Sequence, residues 1–383
     1  MKTQMAFLAV LLVIVIKGQA QSKLEVSQGL GHETNVFKNP AFYTRGSTEM
    51  ERADMYQNGF YSYSRLDFSS VYARDFFYLK MKAQGSTQQF LALEDAHSYR
   101  LNAALDLRFK LGVNRYLHLA PNYSMYRQNG IDQGQGAIRT PLSYSSLLLP
   151  LMFERRRKGS KRYSGIYYRF KNYPAPAEDQ LFYHSVGAQW NREKRFERAK
   201  EGYLSKLELE ASFRHYTDIS VSFPPGFNFE DDEWEDDFNE RVQTRNWAYA
   251  QVAYRIRRYT ESGYVEIPVR SFLRADFSTR KYGYLQNDLG LNVLTHLGRS
   301  RLSVKTKLAH RHHFRLKTSD SVSIRYFYAG LDVKWVCPIT QKLDLFAEVE
   351  MIRRFSNNHK VSSLAFREYF NVEAQLGLTY RLF

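Results

Sequence analysis

The densest chemistry in the chain stands in "FPPGFNFEDDEWEDDFNE", Phe223 to Glu240. Eight of the eleven residues from Glu230 to Glu240 are acidic: Glu230, Asp231, Asp232, Glu233, Glu235, Asp236, Asp237 and Glu240, with Trp234 and Phe238 set among them. Clustered carboxylates are hard oxygen ligands, so one reading is capture of a divalent cation or a cationic ligand. The other is a solvated, self-repelling loop. The Asp-x-Asp-x-Asp-Gly spacing of a calcium loop is missing, and apart from this optional cation no cofactor is expected.

A second set is basic: Arg255, Arg257, Arg270, Arg274, Lys305, Lys307, Arg311 and Arg315. They share one face of alternating segments, with Glu208, Glu210, Glu266, Asp276, Glu348 and Glu350 on neighbouring ones. Basic rings select anions in pores, whereas the same residues paired with the acids form a salt-bridged ladder. Both readings stay open. "HRHHF", His310 to Phe314, has the composition of a metal site, but alternation sends His310 and His312 to one face and His313 to the other, so one strand cannot converge three ligands. Pairs such as His184 with Ser185, or His215 with Asp218, would suit hydrolysis, but neither sits in a recognisable motif and a Tyr-rich barrel supplies such pairs by chance. No glycine-rich phosphate loop or Cys-x-x-Cys pair is present, and no enzyme is expected.

The elements that carry these residues are long alternating strands. From Leu364 to Leu382 the even positions are apolar except Glu368, while the odd ones include Arg367, Asn371, Glu373, Gln375, Thr379 and Arg381. A period of two held over such a length is not helical. Tyr99 to Leu111, Val265 to Phe277 and Leu343 to Arg354 repeat it, each apolar face opposed by full charges. One side is dry and the other wet. An all-β periplasmic sandwich would need shorter strands and more glycine and proline in its turns.

The front end, "MKTQMAFLAVLLVIVIKGQAQS", has Lys2, an apolar run from Ala6 to Ile16, and small Gly18 and Ala20. That is a secretory leader with cleavage expected after Ala20, too short in its apolar run to span a bilayer as a helix. Removing Lys2 and Lys17 with it leaves 53 basic against 39 acidic residues, +14. A single cysteine, Cys337, excludes an internal disulfide. With 28 Tyr and 27 Phe, side chains suited to a wet–dry boundary are abundant. In such an exported chain the basic balance points to lipopolysaccharide phosphates or an anion-lined pore, with no nucleic acid expected.

These features predict an all-β fold, a transmembrane antiparallel β-barrel over residues 21–383 following a leader at 1–20, with no separate plug domain. Seven tight turns are expected near Asp67 to Ser70, Gly112 to Asn114, Arg157 to Lys161, Asn191 to Gly202, Arg258 to Gly263, Gly298 to Ser300 and Cys337 to Lys342. Eight longer connectors fall between and around them, giving about sixteen strands, with fourteen as the alternative.

The last strand resembles the C-terminal assembly signal of Gram-negative outer-membrane barrels: Gln375, Gly377, Tyr380 and Leu382 match it in order, with Phe383 one residue beyond. The resemblance implies export by the general secretory route, insertion by the barrel-assembly machinery, and an outer membrane with lipopolysaccharide as surroundings. "GHETNVFKNP", Gly31 to Pro40, is similar, at Asn35, Phe37 and Pro40, to a phrase near the start of barrels linked to surface-polymer export. The expected function is a passive porin-like transport channel of the cell envelope with a basic lumen and modest anion preference. The alternatives are a closed barrel that binds a ligand or cation through its acidic outer loop, an accessory to surface-polymer export, and, less favoured, an outer-membrane lipid hydrolase. Solute and oligomeric state are not encoded in any motif.

Overall fold

The computed structural model describes residues 21–36, 43–45, 48–50, 57–93, 96–128, 143–173, 181–198, 201–216, 245–278, 280, 283–318, 320–358 and 368–382. The leader at 1–20, the acidic loop from Glu230 to Glu240, and Phe37, Pro40, Asp218 and Phe383 lie outside them.

The described residues form nineteen strands: β1 (Gln21–Glu33), β2 (Tyr43–Arg45), β3 (Thr48–Met50), β4 (Gly59–Ala73), β5 (Phe77–Phe90), β6 (Ser98–Gly112), β7 (Arg115–Leu119), β8 (Asn122–Gln128), β9 (Tyr144–Arg157), β10 (Ser160–Tyr173), β11 (Leu181–Arg198), β12 (Glu201–Tyr216), β13 (Arg245–Thr260), β14 (Gly263–Asp276), β15 (Tyr284–Leu297), β16 (Ser300–Lys317), β17 (Ser323–Pro338), β18 (Leu343–Ser356) and β19 (Tyr369–Arg381). β2 and β3 form a small hairpin of their own. The rest pair antiparallel in chain order, and β1 closes the ring by pairing with both β19 and β4.

β7 and β8 are one wall position. Leu107 faces Leu119 and Ala104 faces Asn122, the same register on both sides of the gap. Pro121 interrupts pairing because it has no N–H to give the ladder. The wall therefore has sixteen members, the all-β antiparallel barrel expected from the alternation.

Short turns mark one end. Arg157 pairs with Ser160, Thr260 with Gly263 and Leu297 with Ser300, each across two residues. Gly159 and Gly298 have φ of 66° and 62°, and Asn114 60°, the left-handed geometry that tight hairpins require. One expected turn is corrected: Asp67 to Ser70 lie inside β4, and the chain reverses at Asp75 and Phe76, where Arg74 and Phe77 exchange backbone bonds of 2.7 and 3.2 Å. The serines around Asp67 carry turn chemistry, but their pairing with β1 and β5 holds them extended. The sequence predicts a longer connector from Gly85 to His97, but β5 runs on to Phe90, and β11 runs to Arg198, past Asn191.

The outer face is apolar. Leu105, Phe109, Ile166, Val186, Val252, Ile267, Val269, Leu289, Leu308 and Leu376 are all exposed there. With every stave paired on both edges, such a wall meets the demands of a bilayer.

Closure is reinforced from inside. Tyr61 on β4 stands opposite Gly31 on β1, and its ring occupies the space a Cβ there would need. The bare backbone lets the ring pass over β1, so that its hydroxyl donates to Glu373 on β19 at 2.5 Å. Gln88 and Gln375 donate to the same carboxylate oxygen at 2.9 and 2.7 Å. The arrangement recurs on the far wall, where Tyr167 of β10 lies over Gly187 of β11 and donates to Glu210 of β12 at 2.5 Å. Beyond β1, Asn35 is fully buried, its N–H 3.0 Å from Asn371 Oδ1, and Val36 packs with Tyr61, Phe90 and Ala96.

Candidate functional site

The inward face has two chemically different zones. Toward the turns, basic and acidic side chains pair around the wall, some two residues apart on one strand and others across to the next. Arg65 bonds Asp67 at 2.5 Å, Arg108 bonds Asp106, and Glu154, with no exposed side chain, receives Arg156 and lies 2.5 Å from His118 Nε2. Glu208 takes Lys206 and Arg255, the latter at 3.1 Å. Glu266 takes Arg257 at 2.7 Å, and Asn292 at 3.0 Å. Lys305 donates to Asp332 at 2.6 Å, Lys334 to Glu348 at 2.5 Å, and Arg381 pairs with Asp344 and Glu25.

Toward the loops the arginines stack on rings. Even-numbered strands supply the cations and odd-numbered strands the aromatics, because antiparallel neighbours bring inward residues side by side. Arg214 on β12 lies 4.1 Å from the Tyr183 ring on β11 and 4.4 Å from Tyr249 on β13. Arg274 on β14 lies 4.4 Å from Trp247 and 4.5 Å from Tyr284 on β15. Arg311 on β16 lies 4.4 Å from Tyr284 and 5.5 Å from Tyr328 on β17. Arg354 on β18 lies 5.8 Å from Tyr328 and 5.2 Å from Tyr369 on β19. Each guanidinium thus lies near rings of both flanking strands. Such contacts strengthen when desolvated.

One chain of bonds joins the zones. Arg311 Nε donates to Gln286 Oε1 at 2.8 Å, Gln286 Nε2 to Asp288 Oδ1 at 2.7 Å, and Arg270 Nε to Asp288 Oδ2 at 2.7 Å. Lys307 approaches the same carboxylate at 3.9 Å. Here Ala253, Gly290 and Gly330 present almost no side chain to the lumen, and a cavity of about 600 Å³ opens against them, bordered by Arg255, Arg270, Lys305, Lys307, Asp332 and Glu350.

Of the basic residues singled out by spacing, Arg255, Arg257, Arg270 and Lys305 stand in the paired zone, Lys307 at the cavity, and Arg274 and Arg311 in the stacked zone. Arg315 lies past a register shift between His312 and Lys317, is exposed, and has Leu316 beside it packed on Ile324 and Tyr326. Arg214 and Arg354 belong with Arg274 and Arg311 but escape a search for clustered charge. Their signal is an inward Arg or ring near the loop end of each successive strand, as in "FRHY", "NWAY", "FLRAD" and "IRRF".

His313 faces inward between Tyr284 and Tyr326, with ring centroids 5.3 and 5.7 Å away. His310 and His312 are on the outward face, and among the described residues no metal-holding group of His, Cys, Asp and Glu is found. Ser185 is buried on the inward face, whereas His184 is outward, bonded through Nδ1 to the Tyr168 hydroxyl at 2.5 Å. His215, across from it, bonds Asn246 at 2.8 Å. Adjacent residues on a strand point to opposite faces, so His184 and Ser185 cannot act together.

In the last strand Gln375 and Gly377 are inward, and Tyr380 and Leu382 exposed. Gly377 sits under the Phe346 ring and beside the Gln28 carbonyl, with no room for a Cβ.

No protein-family description matches the chain, and no curated protein matches it. Among solved structures, it is similar to OccAB1 of Acinetobacter baumannii, with 8% identity and a TM-score of 0.47 over 95% of this chain and 97% of that one. OccK9 (OpdG) of Pseudomonas aeruginosa gives 11% and 0.44 over 95% and 98%. A loop-deletion form of OmpT, an outer membrane protein of Vibrio cholerae, gives 9% and 0.43 over 95% and 100%. Similarity at this level leaves function to be read from the lumen itself.

Proposed function

We propose that the barrel is an outer-membrane channel of a Gram-negative cell that passes small solutes without chemical change and prefers anions. The observation that carries this reading is an asymmetry of exposure within the ion pairs. Lys305 is 55% exposed against 26% for Asp332, Arg270 39% against 10% for Asp288, and Arg156 35% against 0% for Glu154. Among the described residues the order is reversed for Lys206 with Glu208, 21% against 25%, and for His118 with Asp106, 8% against 25%. Formal charges cancel within each pair, yet the carboxylates sit behind their partners and the cations meet the water. A passing ion therefore senses a positive potential. The arginines among the rings, Arg214, Arg274, Arg311 and Arg354, add further positive charge.

A sixteen-stranded ring is wide enough to enclose an aqueous passage. In this reading the chain reaches the membrane through the general secretory route and the barrel-assembly machinery, with lipopolysaccharide around its loop end. The test is a planar bilayer under a salt gradient. The wild-type current should reverse at a voltage showing anion preference, and Lys305→Glu with Lys307→Glu should move it toward cations. A folded barrel that carries no current, or a reversal voltage unmoved by the double change, would overturn the reading.

A further inference from the structure

Four arginines stand side by side on the outer surface of the barrel, near its turn end. Arg115 on β7 is directly opposite Arg155 on β9, Arg155 opposite Arg162 on β10, and Arg162 opposite Arg192 on β11. All four take the outward parity, since Tyr116, Glu154, Tyr163 and Asn191 take the lumenal positions beside them. Neighbouring strands are about 4.8 Å apart, so the row extends over about 14 Å of wall. Like charges directly opposite one another destabilise a sheet. Nevertheless, among the described residues no carboxylate makes an ion pair with any of the four, and Arg192 Nε is buried without a hydrogen-bond partner.

The neighbouring row tells at what depth these charges lie. One step toward the loops, in the same registers, come Leu117, Phe153, Ser164 and Trp190, with Phe153 exposed. Leu119, Leu151 and Ile166 follow, all exposed. The arginines thus begin where the apolar belt ends, with an indole and a phenyl ring at the boundary. That is the level of lipid headgroups, on the side of the short turns, which is the periplasmic side.

We propose that Arg115, Arg155, Arg162 and Arg192 form a binding site for the phosphate of an anionic glycerophospholipid in the periplasmic leaflet, whose acyl chains run down over Phe153 and Trp190. Guanidinium forks match phosphate oxygens, and one or more phosphates between them remove the repulsion that the bare row carries. A free phosphate shares this chemistry but has no chains for the apolar row beneath. The inference rests on the membrane placement given above and not on conduction.

Native mass spectrometry of the full-length protein in neutral detergent tests it. Phosphatidylglycerol should remain bound at concentrations at least about tenfold below those needed for phosphatidylcholine, since each basic residue near the headgroup adds attraction for net negative charge. R155Q/R162Q should lose that preference, and so should R115Q/R155Q/R162Q/R192Q. Without added lipid, the double variant should unfold at a higher temperature than wild type, since the repulsion is relieved. Equal retention of the two lipids by wild type, or undiminished phosphatidylglycerol on a folded double variant, would overturn the proposal. Displacement of the lipid by millimolar inorganic phosphate would show a free-anion site and overturn the lipid assignment. Because the row is outside the lumen, the reversal voltage of R155Q/R162Q should equal that of wild type, which keeps this outcome separate from the channel reading.

Discussion

The turn end and the loop end of the lumen hold their cations by different means. At the turn end the paired arginines and lysines lean on carboxylates, as Arg156 does on Glu154 and Arg257 on Glu266. At the loop end Arg214, Arg274, Arg311 and Arg354 lie between aromatic rings. The first arrangement cancels formal charge and leaves a bias that depends on which partner is covered. The second positions charge by stacking, without needing an acid at every step. A single wall can in this way be closed and hydrogen-bonded throughout while the potential along it varies.

The comparison breaks most visibly at Glu154. Its carboxylate is fully buried and engages both His118 and Arg156, so Glu154→Ala leaves uncompensated charge and should cost about 3–5 kcal/mol. Thermal unfolding in detergent, followed by the heat-modifiable band on a gel, would read this. A loss under 1 kcal/mol would mean that water already reaches the pair.

Tyr284 is the corresponding point of the stacked zone, since its ring serves both Arg274 and Arg311. Tyr284→Ala should cost about 2–4 kcal/mol through lost packing and two cation–π contacts, while Tyr284→Phe, which keeps the ring, should recover most of it. If the phenylalanine variant is as unstable as the alanine one, stacking is not what holds these arginines.

Salt separates the zones without mutation. Raising ionic strength from 0.1 to 1 M shortens the Debye length from about 10 to about 3 Å. The anion preference measured by reversal voltage should fall accordingly. The Tyr284→Ala stability loss should stay nearly constant, because a guanidinium enclosed by rings is little screened. A salt-independent preference would place selectivity in the stacked zone alone.

The smallest effect is expected at Lys307, which is 56% exposed and 3.9 Å from Asp288. Lys307→Gln should change stability by no more than about 0.5 kcal/mol and still shift the reversal voltage slightly toward cations. Marked destabilisation there would mean that the cavity wall is a structural lattice.

What the sequence determined by itself is the side of the wall on which each residue stands. Alternation is local: Leu343, Leu345 and Ala347 can only face away from Asp344 and Glu348, so the dry and wet faces, the sixteen members and most turns follow from the chain read alone. The exception at Asp67 to Ser70 has the same root, since turn-like residues yield when long-range pairing holds them extended. What only the tertiary structure decided is which inward or outward residues become neighbours. Glu373 meets Tyr61 across 312 residues of sequence, and Arg354 stacks on Tyr369 while Arg270 binds Asp288. Both arginines have the inward parity, so parity alone could not tell the stacked cations from the paired ones. Register did: a strand shifted by one step exchanges every cross-strand partner, and register is set by closure of the whole ring, to which all sixteen members contribute at once.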